Sequence, residues 1–269
     1  MGGLEGRRRG CHVVSERVYE KNYLAQVIIA AEFTAPVESL REPLSDSFRQ
    51  AFSDVLPDFE ERDGTTQQVS FSVQQQGTEF TQRSDAFKLW RLLSRDRIGA
   101  LEICKDFVNY SVSSYLEWDE FSEPFFRALG LIAESLHGDV AYRRLGLRYI
   151  DEIKPPRGKA LDWTGMITPR LTGALRLANG DPLVRAMGMI ETELDRYRLR
   201  MQYGMPNPDY PALISQRLFV LDTDVYTNEL VLQTDVEDEA KALCGIANDY
   251  FERAIGDKLR KMMKLRIQP

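Results

Sequence analysis

The stretch Val140-Ala141-Tyr142-Arg143-Arg144-Leu145-Gly146-Leu147-Arg148-Tyr149-Ile150-Asp151-Glu152-Ile153 decides how this chain is read. It is rich in aromatic and aliphatic residues and alternates with period two, so it predicts one long strand. Leu145, Leu147 and Tyr149 share one parity, while Arg144, Arg148 and Ile150, together with Tyr142, share the other. One face should therefore pack and the other should carry two arginines. Arginines on a covered sheet face are expected in pairs with carboxylates. Asp222 and Asp224, which alternate with Leu221 and Val225 in a later strand-like run, are the expected partners.

Working outward toward the N-terminus, Val27–Phe33 is apolar on both parities and predicts a central strand covered on both faces. Leu40, Leu44, Phe48, Phe52 and Leu56 recur every four residues, so Ser39–Val55 reads as an amphipathic helix with Pro43 in its first turn. Val69, Phe71 and Val73, then Phe87–Ser94 and Ala100–Tyr115, read as strands, with Asp96-Arg97-Ile98-Gly99 as a hairpin turn. Trp118, Phe121, Phe125, Leu129, Ile132 and Leu136 mark a second helix.

Toward the C-terminus, Lys154-Pro155-Pro156-Arg157-Gly158-Lys159 breaks regular structure and is the candidate junction if the chain has two halves. Thr168-Pro169 opens a short helix, and strands fill Val184–Tyr203 and Arg217–Tyr226 on either side of the loop Pro206–Pro211. Asp235 caps a last helix whose Val236, Ala240, Leu243, Ala247, Tyr250, Ala254 and Lys258 share a face. The expected fold is α+β: a largely antiparallel sheet of roughly seven to nine strands, or two such sheets, packed by three main helices. Residues 17–269 form one domain, or two similar halves at 17–154 and 160–269, behind a disordered tail at 1–16.

Composition narrows the function. The 269 residues carry 35 Lys and Arg against 41 Asp and Glu, a net charge of −6, so nucleic acid would need a local basic patch. The three cysteines, Cys11, Cys104 and Cys244, lie far apart without metal or redox spacing, which fits a reducing cytoplasm. No apolar run is long enough to span a bilayer, so no membrane partner is expected.

Candidate chemistry is sparse. The two histidines are His12, in the tail, and His137, at a helix end where it is expected to cap. Asp222 and Asp224 share a strand face and could hold a divalent cation, but no Gly-Ser turn precedes them as a nucleotidyltransferase requires. Glu102 and Lys105 are three apart, hence on opposite faces, which rejects a nuclease Glu-x-Lys pair. In Glu191–Met201 a turn or bulge near Asp195 is expected to swap faces and turn Arg196, Arg198 and Arg200 to solvent. They form either a plain solvated edge or a binding stripe for acidic protein or phosphate. No residue is assigned a catalytic or metal-ligating role, and no cofactor is expected. The candidate binding residues are Arg144, Arg148, Arg196, Arg198, Arg200, Asp222 and Asp224.

Several segments carry a resemblance. Tyr19-Glu20-Lys21-Asn22-Tyr23-Leu24, Trp90, Tyr115-Leu116-Glu117-Trp118-Asp119-Glu120-Phe121, Leu221-Asp222-Thr223-Asp224-Val225, the closing helix through Phe251 and, above all, Arg144-Leu145-Gly146-Leu147-Arg148-Tyr149-Ile150-Asp151 resemble an uncharacterised, sporadically distributed family of prokaryotic proteins of about this length. That family typically carries Asn where this chain has Asp151. The resemblance implies no activity. Its patchy distribution suits genes that travel with mobile elements. The first functional expectation is therefore a non-enzymatic interaction protein, the antitoxin or accessory subunit of a mobile defence or toxin module, whose partner is another protein. The second is a small polar-ligand-binding protein using the arginine floor. The third is a metal-dependent phosphotransfer or nuclease enzyme.

Overall fold

The computed structural model describes residues 19–74, 77–115, 117–136, 140–178 and 180–264, with backbone alone at 65–74, 77–85 and 176. The expected tail at 1–16, Cys11 and both histidines lie outside the described residues.

The described strands are β1 (Leu24–Phe33), β2 (Asp58–Gln74), β3 (Gly77–Leu93), β4 (Gly99–Ile103), β5 (Phe107–Val112), β6 (Ala141–Ile153), β7 (Ala186–Leu194), β8 (Tyr197–Met205), β9 (Phe219–Thr227) and the short β10 (Val231–Leu232). They form one antiparallel sheet of ten strands in the order β2-β3-β4-β5-β1-β6-β9-β8-β7, with β10 beside the start of β6. The strands that flank the 154–159 segment in sequence meet in this sheet, because β6 pairs directly with β9 from Gly146↔Tyr226 to Ile153↔Phe219. Asp96–Gly99 forms the expected tight turn, with Arg97 in a left-handed conformation (φ 62°) and Ser94 N–H donating to the Gly99 carbonyl. The run read as Ala100–Tyr115 is two strands, β4 and β5, separated by the turn at Cys104–Asp106.

The main helices are α1 (Asp46–Gln50), α2 (Trp118–Leu136), α3 (Pro169–Thr172), α4 (Val236–Ala254) and α5 (Asp257–Met263). The helix expected over Ser39–Val55 is shorter. A 3-10 turn at Glu38–Arg41 stops before Pro43, and α1 starts afresh at Ser45, whose hydroxyl accepts from the Phe48 N–H. Proline lacks the N–H that a continuous helix would need there. The last helix likewise breaks after Ala254. Gly256 donates to the Met166 carbonyl, and a Cβ at 256 would come within 2.3 Å of the Gly165 carbonyl oxygen. That close backbone approach forces the α4–α5 bend.

One sheet face makes the core. Val27, Ile29 and Ala31 of β1, Leu145 and Leu147 of β6, Leu221 and Val225 of β9 and Leu199 of β8 are all fully buried there. Phe121, Phe125, Leu129 and Ile132 of α2, and Ala240, Leu243 and Ala247 of α4, close over the same face. β1 is central, as its apolar character implies, but it is not covered twice. Its buried residues alternate strictly from Val27, and Ile28, Ala30 and Glu32 are only partly covered on the opposite face. Apolar residues at both parities here reflect shielding by neighbouring side chains rather than a second layer of helices.

Side chains before β1, on β3 and at the head of α2 hold this layer together. The Tyr19 hydroxyl donates to Glu252 of α4 (2.5 Å), and Asn22 donates to the Tyr115 carbonyl (3.0 Å). The Tyr115 ring packs on Phe121 and Tyr149, which seats the start of α2 on β6. The Trp90 indole, only 2% exposed, donates to the Leu40 carbonyl and anchors the chain before α1.

Candidate functional site

The opposite face of the sheet carries no packed helix among the described residues, and on it the structure gathers most of the residues singled out by sequence. Arg144 and Arg148 of β6, Asp222 and Asp224 of β9 and Arg200 of β8 project there together. Arg148 grips Asp222 with two hydrogen bonds of 2.6 Å, Nε to one carboxylate oxygen and a terminal nitrogen to the other. That bidentate geometry holds the guanidinium flat and raises the Arg148 pKa, chiefly through the Asp222 hydrogen bond. Asp224, whose side chain is only 10% exposed, receives Arg144 at 3.2 Å and Arg200 at 3.2 Å. One nearly buried carboxylate thus joins three adjacent strands.

The Arg-x-Gly-x-Arg spacing has a mechanical reason. Arg144 must cross the strand to reach Asp224, and its path lies directly over Gly146, where a Cβ would sit 3.0 Å from the guanidinium. Tyr226, opposite Gly146 on β9, offers its ring at 4.4 Å to the same guanidinium. Glycine supplies the floor, tyrosine the wall and aspartate the counter-charge.

Tyr142 departs from the parity read in the sequence. A β-bulge lies where Glu32 pairs Arg144 and Phe33 pairs Tyr142, so Arg143 is the extra residue. The bulge turns Tyr142 onto the core side, where it is fully buried and donates to Gln233. It also lets consecutive arginines reach one carboxylate: Arg143 Nε lies 2.9 Å and Arg144 3.6 Å from Glu32. Glu32, Arg143 and Tyr226 were not singled out from sequence: the bulge turns Arg143 toward Glu32, and Tyr226 enters through the long-range pairing of β9 with β6 opposite Gly146.

The arginines at 196, 198 and 200 do not form one stripe. Leu194 pairs Tyr197 across a two-residue turn, with Asp195 left-handed (φ 60°) as the face swap requires. Arg196 lies in that turn and points to the helix side, 2.9 Å from Glu239 of α4 and 3.5 Å from Glu229. Arg200 belongs to the Asp224 cluster. Arg198 is exposed on the open face and has no ion pair among the described residues. Alternation along β8 places 198 and 200 on one face, and the turn removes 196 from it.

A second ionic ladder runs across the other half of the open face. Glu60, Arg91, Glu102 and Asn109 stand directly opposite one another on β2, β3, β4 and β5. Arg91 bonds Glu102 at 2.8 Å and Glu60 at 3.3 Å, and Asn109 donates to Glu102 at 3.2 Å. Hydrogen bonding from Arg97 holds the Glu60 carboxyl below its ordinary range. Glu102 is thus committed to this ladder, while Lys105 sits in the following turn against Asp106. A separate cleft of about 170 Å³ is lined by Leu40, Arg41, Asp63, Ala86, Phe87, Lys88 and Lys105. Its cations are already held by Glu38, by Glu61 and Asp63, and by Asp106, respectively.

On the core side, Asp151 is 4% exposed, and burial alone raises its carboxyl to about 7. Among the described residues no group donates a hydrogen bond to it. Cys104 and Cys244 are buried and form no disulfide among the described residues, and Cys244 Sγ lies 3.4 Å from the Tyr149 hydroxyl. No cluster of three or more potential metal ligands, and no helix long and apolar enough to cross a membrane, occurs among the described residues. No family model, curated protein or solved structure matches the chain.

Proposed function

We propose that the chain is a protein-interaction subunit whose open sheet face is the docking surface for another protein. One observation carries the reading: a broad face without helical cover among the described residues presents its charged side chains pre-ordered by Asp224, Asp222 and Glu32. Arginines held flat in this way lose little rotamer freedom when a partner arrives. The alternation of sign along the face gives orientation and selectivity rather than bulk attraction, which suits a protein partner better than a phosphate backbone. Arg198, exposed without an ion pair among the described residues, is the residue through which a partner carboxylate would enter. The sporadic distribution of the family the chain resembles supports a toxin or defence protein as that partner, with this chain as its antitoxin or accessory subunit.

The test is co-purification with the products of neighbouring genes. Arg198→Glu combined with Gln202→Glu changes only the open face, whereas Lys241→Glu changes exposed α4 on the covered side. The open-face pair should lose the partner and Lys241→Glu should keep it. Retention by both, from folded protein, removes the open face as the docking surface.

A further inference from the structure

We propose that β7 is the seam of a symmetric dimer, in which two copies join edge to edge through antiparallel β7 strands centred on Ile190. This goes beyond the docking role of the open face and does not rest on it. β7 ends the sheet, so one side of its backbone has no strand neighbour among the described residues. Such an edge is normally blunted by lysine, proline, a bulge or inward charge. β7 has none of these: Ala186-Met187-Gly188-Met189-Ile190-Glu191-Thr192-Glu193-Leu194 pairs with β8 in unbroken register over its whole length. β7 carries charge only at Glu191 and Glu193, whereas the base of β2 at the opposite edge is charged at Asp58, Glu60, Glu61, Arg62 and Asp63.

The apolar residues on β7 are also exposed. Met187 is 48% accessible, Met189 59% and Ile190 39%. Gly188 is already roofed by its own neighbour, since a Cβ there would lie 2.6 Å from the Tyr203 ring. The edge is therefore shaped by β8 and lacks only an outer partner.

A second copy is the occupant that the residue pattern fits. A two-fold axis normal to the sheet pairs only residues of equal parity, because opposed residues share a face. Ile190 is the midpoint of β7, and centring there pairs the strand from end to end. On the covered side Ile190 meets its symmetry mate, Gly188 meets Thr192 and Ala186 meets Leu194. On the open side Met189 meets Glu191 and Met187 meets Glu193. Each glutamate stands between a methionine stem and its own Arg200 or Arg198 on β8. A centre at 191 or 192 would oppose glutamate to glutamate, which is unfavourable. The seam would also fuse the two open faces into one continuous surface.

The experiment uses the full chain in a Cys11→Ser background, with Cys104 and Cys244 left buried. Light scattering should give twice the chain mass at micromolar concentration. Ile190→Cys should cross-link between copies on mild oxidation, because directly opposed Cα atoms lie about 4.5–5.5 Å apart. Thr192→Cys should not, since its two copies stand about 13 Å apart along the seam. Ile190→Lys opposes like charges at the axis and should weaken dimerisation at least tenfold while circular dichroism stays unchanged. A monomer, a dimer indifferent to Ile190→Lys, or equal cross-linking at 190 and 192 would each overturn the proposal. A monomeric chain that instead pairs β7 with a strand of another protein falls under the first of these.

Discussion

Asp151→Asn should stabilise this protein at alkaline pH, and the size of the gain follows from where the carboxyl sits. Asp151 occupies the covered parity at the end of β6, buried and without a donor among the described residues. Its proton is held to about 7, against an ordinary value of 3.8. The native state therefore binds that proton more tightly than the unfolded chain does. Stability is lost as pH rises from about 4 through about 7, and the loss levels off above that. At pH 8 the accumulated penalty is about 4 kcal/mol. Asparagine matches the neutral carboxyl in shape and has no charge to desolvate, so the variant escapes this loss. At about 2–4 °C per kcal/mol for a chain of this size, the melting temperature should rise by about 10 °C at pH 8. Near pH 4.5 the two proteins should differ by only about 1 kcal/mol. Thermal melts of both proteins across pH 4.5–8 check this. A gap that does not change with pH, or no gap at pH 8, would refute the desolvation argument.

Other substitutions probe the open face. Gly146→Ala should push Arg144 off Asp224 and cost about 1 kcal/mol in chemical denaturation, far more than the same change at exposed Gly245, where a Cβ meets nothing within 4 Å. Arg148→Ala leaves Asp222 unpaired and should cost about 1 kcal/mol, whereas Arg198→Ala should lie within about 0.5 kcal/mol of wild type. Asp224→Asn strips the counter-charge from both Arg144 and Arg200, so its cost should exceed that of Arg148→Ala in the same denaturation series. Gly256→Ala should lower the melting temperature sharply, because the added Cβ meets the Gly165 carbonyl at the α4–α5 bend.

Much of this arrangement was legible in the residues. Period-two alternation put Arg144 and Arg148 on one face of their strand and Asp222 and Asp224 on one face of theirs, opposite charge marked them as partners, and the structure brings all four within ion-pair distance. The face swap at Asp195 was legible because no straight strand buries either parity of Glu191–Met201. What escaped depends on irregularity. A single inserted residue at Arg143 reverses Tyr142 and recruits Glu32, and no local pattern announces a bulge. The fate of Arg196 depends on Glu239, supplied by a helix more than forty residues away. Strand order was equally hidden, since β6–β9 neighbourhood is set by long-range pairing and not by any signal within either strand. Pro43 and Gly256 were visible as residues, but their cost to the flanking helices appears only once the surrounding backbone is placed.

The central claim is that the open face receives the partner. Hydroxyl-radical footprinting of the complex with the neighbour-encoded protein tests it most directly. Tyr226 and Ile28, on the open face, should lose reactivity on binding, while Tyr250 and Leu136, on the helical side, should keep theirs. Protection of Tyr250 and Leu136 with Tyr226 unchanged would contradict the claim and move the interface to the helices.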